Sequence, residues 1–259
     1  MRIAVCLSGE PRTWRIAHPI IKEFFNVPDA QVDYFIHTWL GNSWKIKGEF
    51  DHHPILASEA EEIRAAFSPV EMRYDVARHP PSTVWGSLFA SQQYSFMMKR
   101  EHELRNGFDY DIVIKARLDT IYTPDTVFSP HHLQPLTAYT AERPFRMPME
   151  YNACNFNEVI YYGDSPTMDL IGDVVQHSVA ECDWAAYHNR ASTMRETIPM
   201  KYGPGAYMNR YMAAHNIYGT HAPKQIEWVI VRKDALDLNL DPFKDFIAIR
   251  DLHGKHYTG

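Results

Sequence analysis

The chain carries neither a Walker A loop nor the Gly-x-Gly-x-x-Gly turn of dinucleotide-binding sheets, so neither fingerprint explains it. It has no apolar run of membrane-spanning length, and Met1–Leu7 is too short for a signal-peptide core. The expectation is a cytoplasmic protein whose first strand begins at Met1, with no transmembrane segment. Long basic runs are also missing and the net charge is −6 with His neutral, which argues against broad electrostatic binding to nucleic acid. Cysteine is scarce: Cys6, Cys154 and Cys182 are odd in number and widely spaced, so they read as reduced thiols and exclude a disulfide scaffold. There is no internal repeat and no low-complexity linker, so residues 1–259 are expected to form a single domain.

What is present is material for a core. Of 259 residues, 45% are apolar and 13% aromatic, far from a disordered composition. Asp111–Tyr122 is β-branched and apolar at its centre and reads as one buried strand. Alternation puts Ile112, Ile114, Ala116 and Leu118 on one face and Arg117 with Asp119 on the other, where the strand runs out. The carboxyl end of a central strand is where open α/β sheets take ligands. A mutual salt bridge at a sheet edge is the competing reading of the same two residues.

Met1–Leu7 reads as a first buried strand, followed by Ser8-Gly9-Glu10-Pro11-Arg12-Thr13 and an amphipathic helix from Trp14 to about Phe25. A strand, a small-residue turn and a helix can offer free amides and a helix dipole to an anion, with Arg12 the one cation delivered there. A plain tight turn is the alternative. Val32–Trp39 is a second strand, ending on His37, Thr38 and Trp39. Ser58–Glu61 reads as a capping box for a helix through Phe67, Glu71–Val76 as a short strand, and Val84–Asn106 as the longest helix, stopped by Gly107. Trp85, Leu88, Phe89, Gln92 and Phe96 fall on one face of that helix, with Ser91 and Ser95 polar beside them. Beyond it, Thr123–Pro148 shows no clear period, Asn155–Asp164 reads as a strand, and Ser165-Pro166 as the N-cap and first residue of a helix to about Ala180. A short helix over 206–215 and a last strand over Ile226–Val231 complete the reading. The Asp51-His52-His53 cluster reads as solvated loop. The fold class is therefore α/β, Rossmann-like, with a mainly parallel central sheet flanked by helices.

Four stretches in order, "IAVCLSGEPRTW", "VDYFIHTW", "SQQYSFMMKREHELRNGFDYDIVIKARLDTIY" and "NFNEVIYYGDSPTMD", resemble a family of small glycosyltransferase-like proteins found in bacterial surface-polysaccharide loci and in viral genomes. The resemblance covers most of residues 1–215. It implies a GT-A-like fold, with residues 1–122 binding a nucleotide-sugar donor and residues 123–259 forming the acceptor half and tail. The donor expected is a UDP-sugar ahead of a GDP-sugar, and the acceptor a glycan or other hydroxyl compound. GT-A enzymes commonly carry Asp-x-Asp after a central strand, holding a divalent cation on the donor diphosphate. Here the place reads Arg117-Leu118-Asp119. Asp119 is thus the expected ligand of Mn²⁺ or Mg²⁺ or a direct donor contact, and Arg117 a partner for phosphate charge. Ser8, Gly9, Arg12, His37 and Gln92 join Arg117 and Asp119 as expected donor contacts. Glu158, in the Asn157-Glu158 pair, is the expected catalytic base alongside Arg117. Gly205 follows Pro204 where the family tends to carry an acid, and His253 or His256 could complete a metal site.

Two other readings compete: a different nucleotide-dependent transferase, which lacks its glycine-rich loop here, and a non-catalytic GT-A-like module that binds glycans or partners.

Overall fold

The computed structural model describes residues 1–40, 56–76, 84–124, 126–141, 159–174, 208, 211–224, 226–231, 244–246 and 248–249, with side chains of the long helix from 88 onward. Strand β1 (Arg2–Ser8) leads through a turn into helix α1 (Trp14–Phe24) and strand β2 (Gln31–Leu40). Helix α2 (Ala57–Phe67), strand β3 (Glu71–Val76) and helix α3 (Val84–Asn106) follow, and α3 feeds strand β4 (Ile112–Arg117). These elements form a seven-stranded sheet with three further strands, β6 (Thr137–Thr140), β7 (Tyr161–Gly163) and β8 (Tyr218–His221), in the order β3-β2-β1-β4-β7-β6-β8. Strands β3, β2, β1 and β4 are mutually parallel, and β6 pairs with β8 in parallel. Strand β7 alone runs the other way, antiparallel to both neighbours. The fold is α/β with a mostly parallel sheet, as the alternation of strands and helices predicts.

Alternation along the strands builds two cores. Ile3, Val5 and Leu7 of β1 and Ile112, Ile114 and Ala116 of β4 face α1 and α2, joined by Leu118 from the turn after β4. Ala4, Cys6, Phe35 and Val113 face α3 and helix α4 (Ser165–Gly172) on the opposite side. Burial holds the Cys6 thiol well above its usual pKa, so it is an inert core group.

Several boundaries differ from the sequence reading. Asp111–Tyr122 is not one strand: the chain turns at Leu118–Asp119 and enters strand β5 (Thr120–Tyr122), which pairs antiparallel with β9 (Trp228–Ile230) in a separate two-stranded sheet. The capping box is overturned, because α2 starts at Ala57 with Leu56 as N-cap, placing Ser58 inside the first turn. Glu59 instead accepts from Trp14 Nε1 at 3.0 Å and Arg15 Nη1 at 2.9 Å, tying α2 to α1. The N-cap of α4 is Asp164, whose side chain accepts from the Thr167 amide at 2.9 Å, so Ser165 is freed for another role. Helix α4 spans Ser165–Gly172, residues 175–180 of the expected helix lie outside the described residues, and the strand over 155–164 is described only as the three residues of β7. Thr123–Pro148 is not wholly irregular, since it contains β6. The Asp51-His52-His53 cluster, the Asn157-Glu158 pair, Pro204-Gly205 and the tail histidines lie outside the described residues.

Candidate functional site

The parallel register puts three of the expected site residues in one row. Ser8, the last residue of β1, is level with His37 of β2 on one side and with Arg117 of β4 on the other. All three follow the alternation that faces Ala4, Cys6, Phe35 and Val113 toward α3 and α4, so they share one face at the carboxyl edge.

Helix α3 packs across β1 and β2 and supplies the next layer. The Gly9 amide donates to Ser91 Oγ at 2.8 Å, and Thr38 Oγ1 donates to the Gly9 carbonyl at 3.0 Å. Gly9 sits at φ +110°, a backbone conformation that L side chains rarely adopt. Its two polar groups are thereby fixed. The expectation of a free amide for an anion fails at this position, because Ser91 already occupies it. The amides of Trp14 and Ile16 likewise donate to the carbonyls of Pro11 and Thr13. The turn is in this respect the plain tight turn.

His37 continues the chain of contacts. Its Nδ1 lies 2.8 Å from Ser91 Oγ and its Nε2 lies 3.2 Å from Asp75 Oδ2 at the end of β3. A carboxylate only accepts, which assigns the proton to Nε2; the one Ser91 hydroxyl proton is then shared between Nδ1 and the His37 carbonyl, 3.1 Å from Ser91 Oγ. Burial depresses the His37 pKa to about 4, against a smaller upward pull from Asp75. The imidazole is therefore neutral near pH 7. Burial alone would raise the Asp75 carboxyl, but hydrogen bonds from Arg73 and His37 outweigh it and hold the pKa below the ordinary value. Asp75, His37 and Ser91 together look like a nucleophile triad and do not function as one. Ser91 is fully buried within α3 and its oxygen already accepts from Gly9. The chain of bonds positions the β1 exit.

Two polar atoms beside this row are buried without a hydrogen-bond partner among the described residues: Ser8 Oγ and Gln92 Nε2. Both residues are 1% exposed. Buried polar groups are nearly always satisfied, so both atoms call for a partner beyond the described residues, as do Thr120 Oγ1 and Tyr122 OH elsewhere.

Arg117 and Asp119 form a bidentate pair: Nε donates to Oδ1 and Nη2 to Oδ2, each at 2.7 Å. The Asp119 side chain is fully buried and that of Arg117 is 13% exposed. The turn that carries Asp119 is held by the Val231 amide, which donates to the Asp119 carbonyl at 2.9 Å. Thr13 Oγ1 donates to the Val231 carbonyl at 3.0 Å, so the residue after β9 straps the β4–β5 turn to the start of α1. Arg12 lies in that same β1–α1 turn, but its Nε is engaged by Glu10 Oε2 at 2.8 Å and both side chains are about a quarter exposed. The structure thus brings together Ser8, Gly9, His37 and Arg117 with Asp119, places Gln92 on the helix above them, and gives Arg12 a local partner. Glu158 lies outside the described residues.

Four contributors were not assigned a site role from sequence: Ser91, Thr38, Asp75 and Val231. Ser91 is a polar residue beside the apolar stripe of α3, and that was the one available signal. The other three depend on strand register and a long-range strap.

The chain matches no protein-family model and no curated protein. Whatever function is assigned must come from its own residues.

Proposed function

We propose that the chain is a GT-A-like glycosyltransferase that takes a nucleotide-activated sugar, UDP-linked ahead of GDP-linked, and passes the sugar to a hydroxyl of a glycan or similar acceptor. The observation that carries this reading is the row Ser8, His37 and Arg117 at the carboxyl edge of three adjacent parallel strands, where the buried Ser8 Oγ has no hydrogen-bond partner among the described residues. That edge is where open parallel sheets receive nucleotides. In the proposed reaction a bond forms between the acceptor oxygen and the anomeric carbon. The bond from that carbon to the diphosphate oxygen breaks, its electron pair leaves with the diphosphate, and the acceptor proton passes to a carboxylate base. Glu158 is the base we put forward from its place in the sequence. Arg117 is suited to the leaving group, because a guanidinium can offer parallel N–H donors to phosphate oxygens.

One observation favours a second reading. Arg117 and Asp119 bond each other through two parallel contacts, as they would in a non-catalytic module where the two residues neutralise each other. Thermal melting against UDP-sugars, GDP-sugars and S-adenosylmethionine, followed by assay of free sugar release, separates the alternatives. A rise in the melting midpoint with one nucleotide sugar, together with its slow hydrolysis, supports the transferase. Stabilisation without hydrolysis or transfer supports the binding module, and stabilisation by S-adenosylmethionine alone sinks both.

A further inference from the structure

Resting on the glycosyltransferase reading, we infer that the donor diphosphate is met by the Arg117 guanidinium without a divalent cation, and that Asp119 is the residue that aims that guanidinium. The usual GT-A arrangement gives a metal two carboxylates, and this chain has an arginine in place of the first. The geometry of the second is decisive. Both Asp119 oxygens accept from Arg117 at 2.7 Å, and the side chain has no exposed surface. A hard divalent ion takes six or more oxygen ligands in well-spaced directions. At Asp119 it would have to share a buried carboxylate with a guanidinium already bound to both oxygens, bringing like charges together in a poorly screened place, and no group of three or more metal-ligating side chains occurs among the described residues. Asp119 does not fit a metal.

The same contacts fit a positioning role. An arginine side chain has several rotatable bonds, and a free one spreads its charge over many orientations. The two parallel bonds to Asp119 fix the plane of the guanidinium. The Val231 amide fixes Asp119 by its carbonyl, and Thr13 fixes Val231. Arg117 is level with Ser8 in the parallel register, so its backbone stands in the row of Ser8, whose hydroxyl has no partner among the described residues. A preorganised cation of this kind can supply at the leaving group what a metal supplies elsewhere. The chemistry remains that of a nucleoside diphosphate leaving group, and only the counter-charge changes.

The test is calorimetric titration of the intact protein with a panel of UDP- and GDP-sugars, in excess chelator and again in excess Mn²⁺. The expected result is an affinity that agrees within about twofold between the two buffers, with equal rates of sugar release. The Asp119→Asn variant should lose about tenfold in affinity, by the same factor in both buffers. A metal ligand would lose it only with Mn²⁺ present. A wild-type affinity that rises tenfold or more with Mn²⁺ would overturn this inference and leave the glycosyltransferase reading standing. Failure of every nucleotide sugar to bind in either buffer would instead overturn that reading, and this one with it. The comparison of buffers on the wild-type protein decides the question even where the variant does not fold.

Discussion

His37 shows how one residue couples the site to solution conditions. It is fully buried, neutral, and bonded at both ring nitrogens, with its pKa depressed to about 4 by burial. The unfolded chain binds the proton first, near pH 6.5, so the stability that neutral His37 contributes is intact above that pH. It is lost as pH falls from about 6.5 towards 4. A shift of this size corresponds to a loss on the order of 3 kcal/mol. Urea unfolding of the wild type and of His37→Gln across that range should show the wild type losing stability more steeply. Parallel pH profiles would contradict the assignment. Gly9→Ala is a second test at this scale. Its new Cβ meets open space, so any loss comes from backbone conformation at φ +110° alone. We expect about 1–2 kcal/mol, seen as a lower urea midpoint at unchanged slope.

Among elements, the joint between α3 and α4 carries the largest buried charge cluster among the described residues. Lys99 Nζ, fully buried, lies 2.7 Å from Glu103 Oε2, 2.6 Å from Asp169 Oδ1 and 2.6 Å from Ser165 Oγ. Ser165 also donates to Glu103 at 2.7 Å, which is the role that Asp164 leaves it by taking the cap. Burial raises the Asp169 pKa, with Lys99 pulling the other way. Lys99→Met should leave buried Glu103 without its cation and Asp169 with Arg100 alone, whose Nε lies 3.2 Å from Asp169 Oδ2, and cost about 3–5 kcal/mol by chemical denaturation. Adding Glu103→Gln to that variant should recover part of the loss, and no recovery would mean that the damage is packing alone. Gly172 marks how closely the two helices approach, since a Cβ there would lie 2.8 Å from Phe96. Gly172→Ala should therefore cost about 1–3 kcal/mol by overpacking, read from the same denaturation curves.

Much of this scale was legible beforehand, for a physical reason. The bounds of β3 and of α3 follow from local punctuation, with Pro69, Pro80 and Pro81 before and Gly107 after, the last at φ +66°. Strands β5, β6 and β8 have three or four residues each, too few to show a period. Their pairing comes from distant chain, as in Thr120 with Ile230 and Thr137 with Tyr218. The site divides in the same way. Ser8, His37 and Arg117 could be read because polar residues at the ends of apolar strands stand out. The hold of Ser91 on Gly9 and the strap from Val231 could not, because each depends on contacts across 82 residues or more.

At the scale of the whole molecule, the sheet sets the site before any loop does. Parallel strands β1, β2 and β4 end at one edge, and their register aligns Ser8, His37 and Arg117. The overall charge of −6 gives no general attraction for an anionic donor, so binding must come from that local row. Removing Arg117 alone would take the guanidinium from a buried carboxylate, confusing stability with binding. The double variant Arg117→Gln/Asp119→Asn removes both charges while keeping size and hydrogen-bonding groups. The most direct measurement is a calorimetric titration of the wild type and this double variant with the nucleotide sugar that stabilises the wild type most. The account predicts a loss of at least about tenfold in affinity, as expected for a charge-assisted bidentate contact, with a cooperative unfolding transition retained. Equal affinity in the two proteins would contradict it.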